Sequence, residues 1–176
     1  FDGMACGRIA LKRAGIEVDK YFASEVDKYA IQIAMKNWHD IIQIGDITKW
    51  REWRLPDIDL LMGGSPCQGF SSQGKGLNFE HEQSKLFFEF IDVLKNVKPK
   101  YFLLENVIML DQHNDIISSI LGELYPDLVI QLDFFKIGRL EPIMIDSALV
   151  SAQSRKRLYW TNIPNIIQPK NKGMVL

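Results

Sequence analysis

Cys67 stands in the stretch GGSPCQGFS, residues 63–71, just past the apolar run DIDLLM. A structural cysteine usually hides inside an element as a small hydrophobe. One displayed beyond the carboxyl end of a strand stands where open α/β sheets place their chemistry. Pro66 fixes the backbone before it, and Gly63, Gly64 and Ser65 leave room for a substrate. Backbone N–H groups at such a strand-to-loop switch lower a thiol's pKa toward the nucleophilic thiolate. The plainer alternative is an inert small residue in a turn. Glu105, in LLENV (103–107), closes another apolar run and faces the same rim, where partial desolvation lets a carboxyl hold a proton near neutral pH. In QSRKR (153–157), strand alternation predicts Gln153, Arg155 and Arg157 on one face, a pairing of arginines suited to phosphate or to a carboxylate. Basic residues on an edge strand also serve simply to discourage aggregation.

A second group of residues reads as a cofactor site. FDGMACG (1–7) is a small-residue loop entering a helix, and Gly3, Ala5 and Gly7 let backbone N–H groups approach an anionic group. An ordinary tight turn is the alternative, since the loop is not GxGxxG. Glu25 ends the second predicted strand, where a carboxylate can accept both ribose hydroxyls. Asp46 ends the third, placed to accept from an adenine amino group. Together the three positions point to an adenosine-bearing cofactor. Cys6 lies within this loop and is expected to pack or to offer its backbone.

The elements that must carry these residues alternate strand and helix. DGMACGRIALKRAG predicts a helix with Ala5, Ile9, Ala10 and Ala14 sharing a face. EVDKYFASE predicts a strand, and VDKYAIQIAMKNW an amphipathic helix turning Tyr29, Ile33 and Trp38 to the sheet. IIQIGDI is a short strand, IDLLMGG a buried one, SKLFFEFIDVLKNV a helix ended before Pro99, and KYFLLENV another strand. DQHNDIISSILGEL is helical with Asp111 as N-cap. EPIMIDS and RKRLYWTNI close the series as strands, possible partners in a hairpin. Short connections between alternating elements argue for a mainly parallel sheet covered on both faces.

Composition narrows the classes. The chain has 176 residues, 47% of them hydrophobic, enough for one α/β domain. The net charge of -1 neither demands nor excludes nucleic acid, although residues 151–176 carry Arg155, Lys156, Arg157, Lys170 and Lys172 and no acid. Two cysteines make no disulfide framework, and His39, His81 and His113 are scattered, so no metal site is expected. No run of about 18 apolar residues or signal-peptide pattern occurs, which predicts a cytosolic chain with no membrane partner.

The ordered set FDGMACG, SEVD, GDI, GGSPCQGFS, LLENV and QSRKR resembles the cytosine-5 DNA methyltransferases over nearly the whole chain, with a lean toward the bacterial or phage type. The resemblance implies a Rossmann-like α/β fold of the class I methyltransferase kind, truncated at both ends. It implies a catalytic domain over 1–164 and a linker over 165–176 toward a missing target-recognition region. It implies S-adenosyl-L-methionine as cofactor. Phe1 would stack near the adenine, and the backbone of Asp2, Gly3, Met4, Ala5, Cys6 and Gly7 would hold the methionine end. Glu25 would bind the ribose, Asp46 with Ile47 the adenine, and Val26, Pro66 and Leu86 would share that pocket. Cys67 would bond to carbon 6 of the cytosine, Glu105 would serve ring nitrogen 3, and Arg155 would contact the base carbonyl, with Gln153 and Arg157 completing the catalytic set. Double-stranded DNA would be the partner, with the target base flipped out, residues 68–83 closing as a lid, and the cytoplasm of a prokaryotic or phage-infected cell as the setting. The chain would act as a monomer or with a missing C-terminal half. The strand before Phe1 is mostly absent, the late motifs have no counterpart, and residues 124–139 exceed the expected spacing. A transfer-RNA cytosine-5 methyltransferase and a catalytically silent accessory protein are the competing readings. A nicotinamide-dependent oxidoreductase is disfavoured, because GxGxxG is absent.

Overall fold

The computed structural model describes residues 1–65, 82–128 and 138–174, with side chains from 85 onward in the second stretch. Pro66, Cys67, residues 68–81 of the expected lid over 68–83, residues 129–137 and residues 175–176 lie outside the described residues. In chain order the elements are α1 (Cys6–Arg13), β1 (Tyr21–Ala23), α2 (Lys28–Asn37), β2 (Ile41–Gln43), a 3-10 turn (Ile47–Glu52) and β3 (Leu60–Gly64). There follow α3 (Glu82–Val97), β4 (Tyr101–Val107), α4 (Asp111–Leu124), β5 (Ile143–Asp146) and β6 (Lys156–Thr161).

Two sheets result. β1 and β2 pair in parallel. The larger sheet has the order β3-β4-β6-β5, with β3 parallel to β4 and with β6 antiparallel to both of its neighbours. β3, β4 and β5 therefore run one way and β6 against them, so the sheet is mostly parallel and its last two strands do pair directly.

Successive residues of a strand face opposite ways, and β3 shows what that achieves. A Cβ on Gly63 would lie 2.8 Å from the Phe90 ring of α3, whereas Met62, one residue earlier, meets Gly7 of α1. Helices thus cover both faces. On the α3 side, Phe87, Phe90, Ile91 and Leu94 bury against Phe102, Leu104, Leu158 and Trp160, with Ile117 and Leu121 of α4 closing the core. Each such side chain contributes roughly 1.5–3 kcal/mol on burial. The Trp160 indole N–H donates to Ser118 Oγ at 3.0 Å, so the largest buried side chain leaves no polar atom unpaired. The other core is a smaller cluster, Ala5, Tyr21, Ala23, Ala34 and Ile41. Between β1 and β3 lies a cleft of about 370 Å³ bordered by Tyr21, Phe22, Leu60, Leu61 and Phe1.

Four expectations are corrected. In α1, Ile9, Ala10 and Ala14 are exposed; the helix approaches the sheet through Gly7 and the half-buried Leu11, with Ala5 buried just before it. In α2, Tyr29 and Ile33 are 64% and 44% exposed. The stripe turned inward is Ile31, Ala34, Met35 and Trp38, a better i, i+3, i+4, i+7 series than the one expected. Asp111 is the first residue of α4 and not its cap, a role taken by the Leu110 backbone. There Asp111 still favours the positive end of the helix dipole. β3 is half-buried along its whole length, because it is an edge of the larger sheet and borders the cleft.

Candidate active site

The carboxyl ends of β3 and β4 and the start of β6 meet at one rim. Gly64 lies beside Glu105 in the β3–β4 register, and a Cβ there would stand 3.0 Å from Glu105 Oε2. Glycine at 64 is what lets that carboxylate lie against β3. On the other side Glu105 Oε1 is 2.8 Å from Arg157 Nε. The Nε–H does not point along this line, so the contact is an ion pair without a hydrogen bond. The two side chains are 35% and 17% exposed, so this pair is less screened than a surface one and still open to a ligand. Tyr159 lies opposite Glu105 across the β4–β6 pairing, and burial, then the Glu105 charge, push its phenol up.

Asn106 turns the other way and is 1% exposed. Its Nδ2 donates to Ser65 Oγ at 3.2 Å, and its Oδ1 accepts from Val107 N at 2.8 Å. Ser65 is the last described residue before Pro66 and Cys67. Asn106 therefore fixes Ser65 just past the end of β3, a role the sequence signalled only through the polar residue near the end of an apolar strand. Pro66 and Cys67 themselves lie outside the described residues.

The expected alternation of Gln153, Arg155 and Arg157 is corrected. β6 begins at Lys156, so only Arg157 belongs to the strand. Gln153 lies in the preceding turn, where its carbonyl accepts from Ser147 Oγ at 2.6 Å. Arg155 is exposed, and its backbone N–H donates to Asp146 Oδ1 at 2.8 Å. Alternation presupposes extended backbone, and hydroxyl donors with a carboxylate acceptor offered this stretch a turn instead.

The cofactor-side residues also gather at strand ends. Glu25 follows β1, and its Oε2 accepts from the Phe1 nitrogen at 3.0 Å and from Gly3 N at 2.8 Å. Its Oε1 accepts from Val26 N at 2.8 Å and Asp27 N at 3.0 Å. Burial favours the neutral acid here, but the donors from Asp27, Phe1, Gly3 and Val26 outweigh it and hold the carboxyl down at about 2. Phe1 reaches β3: its ring is 3.8 Å from where a Gly63 Cβ would stand. Leu86 of α3 packs, like Phe1, against the larger core. Asp2 accepts from the Tyr21 hydroxyl at 2.6 Å, its second oxygen is buried without a partner, and burial raises its pKa. Asp46 caps the 3-10 turn by accepting from Thr48 N at 2.9 Å, and Ile47 is buried beside it. Met4, Cys6 and Val26 are exposed around this pocket.

These features suit a nucleoside with a charged amino-acid tail. The loop supplies backbone donors, the unpartnered Asp2 oxygen offers an acceptor, and Val26 offers 70% of its surface to a flat ring. Glu25 is already saturated, so a ribose diol would have to share or replace a loop donor. The cleft between β1 and β3 reaches Phe1, Asp2 and Ile47 at one end and then runs down between the sheets to Lys20 and Asp59, away from Glu105. Among the described residues no group of acidic, histidine or cysteine side chains could hold a metal, and no helix is long and apolar enough to cross a membrane.

Known proteins align with this arrangement. An orphan methyltransferase of Bacillus phage rho11s is 36% identical over 90% of this chain and 31% of its own length. One from Bacillus phage SPR is 34% identical over 90% and 35%. The type II methyltransferase M1.ScrFI of Lactococcus lactis is 47% identical over 56% of this chain and 25% of its own length. The chain thus spans about a third or less of these relatives. A solved structure of a DNA modification methyltransferase encoded within an E. coli prophage superposes with a TM-score of 0.65 at 25% identity, over 92% of this chain and 44% of that one. The family description C-5 cytosine-specific DNA methylase matches residues 1–171, and the chain belongs to that family.

Proposed function

We propose that this chain carries the catalytic half of a DNA (cytosine-5-)-methyltransferase, with residues 1–164 as the catalytic domain and 165–176 as a linker. Its substrate would be cytosine flipped from double-stranded DNA in the cytoplasm of a bacterial or phage-infected cell. The observation that carries the reading is the rim at which Glu105, paired with Arg157, lies beside Gly64 and the Ser65 exit toward Cys67. When bound, S-adenosyl-L-methionine supplies an electrophilic methyl group. Phe1, Asp2 to Gly7, Glu25, Val26, Asp46, Ile47, Pro66 and Leu86 would hold it.

Carbon 5 of cytosine is a poor nucleophile. The Cys67 thiolate adds to carbon 6 and turns the ring into an enamine able to accept a methyl group at carbon 5. Glu105 serves ring nitrogen 3, holding or donating the proton that stabilises the adduct. Arg157 keeps Glu105 aimed, Arg155 meets the base carbonyl, and the Gln153 turn supports it. Loss of the carbon 5 proton then expels the thiolate.

Covalent capture tests this. The chain, and a form extended through the C-terminal portion of the parent protein, are incubated with S-adenosyl-L-methionine and duplex DNA containing 5-fluorocytosine, whose fluorine blocks the final elimination. A shifted band on a denaturing gel, lost in Cys67→Ala, is expected from at least one length. Cofactor binding without a band, together with methylation of transfer RNA, would transfer the reading to the RNA-directed branch. Retention of every activity by Cys67→Ala would leave an accessory role.

A further inference from the structure

We propose that Asp146, at the end of β5, is a positioning residue that sets where Arg155 presents its guanidinium to the base; this rests on the reading of Arg155 given above. Asp146 Oδ1 accepts from Ala148 N at 3.0 Å and from Arg155 N at 2.8 Å, and its Oδ2 accepts from Ser154 Oγ at 3.0 Å. One carboxylate thereby holds both ends of the connection between β5 and β6. Ser147 N donates to the Arg155 carbonyl at 3.2 Å, so the Arg155 peptide is fixed from both sides. Ser147 Oγ and Ser151 Oγ donate to the Gln153 carbonyl at 2.6 and 3.3 Å and close the turn from within.

The side chain of Arg155 is treated differently from its backbone. Among the described residues it makes no hydrogen bond or ion pair, while Arg157, two residues on, is engaged by Glu105. A rigid backbone under an unengaged guanidinium is what a substrate-facing donor needs. The freedom of the mount is lost before the ligand arrives, and only the side chain remains to be ordered on binding. Bonds from backbone N–H to a carboxylate are charge-assisted and stronger than neutral ones, so a single side chain can hold the turn. Among the described residues no hydrogen bond or ion pair joins Asp146 or these serines to Glu105 or Arg157, which separates this device from the ion pair at the rim.

The test is a double-mutant cycle in whichever length of the protein captures fluorinated DNA, comparing Asp146→Ala, Arg155→Ala and their combination, with Asp146→Asn as the conservative variant. Arg155→Ala is expected to lower kcat for methylation by about 100-fold. Asp146→Ala should lower it by about tenfold, with the affinity for S-adenosylhomocysteine unchanged. The combined variant should be no slower than Arg155→Ala alone, and Asp146→Asn should recover most of the rate because it retains the oxygen that Arg155 N and Ala148 N share. Multiplying losses in the double variant, or a parallel fall in S-adenosylhomocysteine affinity, would show Asp146 to be merely structural and overturn the proposal. If Arg155→Ala itself methylates normally, or if no length of the protein captures DNA, the functional reading fails and takes the proposal with it.

Discussion

Glu25 and Glu105 are both carboxylates at the carboxyl ends of parallel strands, yet they are held in opposite ways. Glu25 takes the Phe1 ammonium and three backbone N–H donors from two turns, two donors on each oxygen. Among the described residues Glu105 takes one side-chain ion-pair partner, Arg157, and a space left by Gly64. The first arrangement belongs to the chain's path and cannot be changed without moving a loop. The second hangs on one long side chain and can rearrange around a ligand. A group that only binds is served by the first, and one that must exchange a proton during turnover by the second.

The sharpest way to break this comparison is to exchange the readouts. Glu105→Gln should lower methylation and covalent capture by about 10²–10⁴-fold, the usual worth of a positioned acid or base. S-adenosylhomocysteine affinity, followed by calorimetry, should stay within about twofold. Equal losses in both would mean that Glu105 builds the cofactor pocket and does no chemistry.

Glu25→Gln should do the reverse. Its amide can accept through one oxygen only and turns an NH₂ toward two donors, so two charge-assisted bonds are lost at about 1.5–3 kcal/mol each before relaxation. Cofactor affinity should fall by about tenfold or more and the unfolding temperature by several degrees, while bound enzyme retains most of its kcat. A kcat collapse at saturating cofactor would place Glu25 in the chemistry.

How far the sequence revealed this contrast depends on the kind of interaction. The apolar runs made the strands legible, and β3 ends at Gly64 as read, whereas β2 stops at Gln43, short of Asp46, and β4 runs past Glu105 to Val107. The family motifs located the carboxylates, and strand alternation allowed the arginines a carboxylate partner. It did not name Glu105 as that partner, since the pairing depends on β6 inserting between β4 and β5. The inward faces of α1 and α2 were misjudged for a related reason. Periodicity says that a stripe exists, but the close approach at Gly7 and Ala34 decides which stripe meets the sheet. The turn over 147–155 was missed because its order comes from a carboxylate eight or nine positions away in sequence, beyond any local pattern.

Neighbouring glycines on β3 sharpen the comparison at smaller cost. Gly63→Ala drives a methyl group into Phe90, whose ring is packed in the core, and should destabilise the fold by about 1–3 kcal/mol. Gly64→Ala meets only the end of the Glu105 side chain at 3.0 Å, which can swing away. Its unfolding temperature should hardly change while kcat falls, because the carboxylate is displaced from the base. The opposite pattern, a cold-stable Gly63→Ala and an unfolded Gly64→Ala, would mean that the rim and the core have been assigned to the wrong faces of β3.

The smallest expected effect is the pH dependence of stability, and it divides along the same line. Glu25 has a folded value of about 2 against an ordinary 4.5, so its contribution is complete above about 4.5 and is lost as pH falls toward 2. Asp40, beside Arg8, and Asp146, in its turn, are lowered too and add in the same direction, weakly, since both are exposed. Asp2 has the opposite sign. Burial, only partly offset by the Tyr21 hydroxyl, raises it above 3.8, so the folded state gains a proton first and stability rises as pH falls toward 3.8. The unfolding temperature should therefore hold or rise slightly on mild acidification and then drop below about pH 4.5. Asp2→Asn should remove the early rise, and Glu25→Gln should flatten the later fall. A Glu25→Gln protein that still loses stability as steeply between pH 4.5 and 2 would show that the loop donors do not hold that carboxylate in solution, and the contrast with Glu105 would collapse.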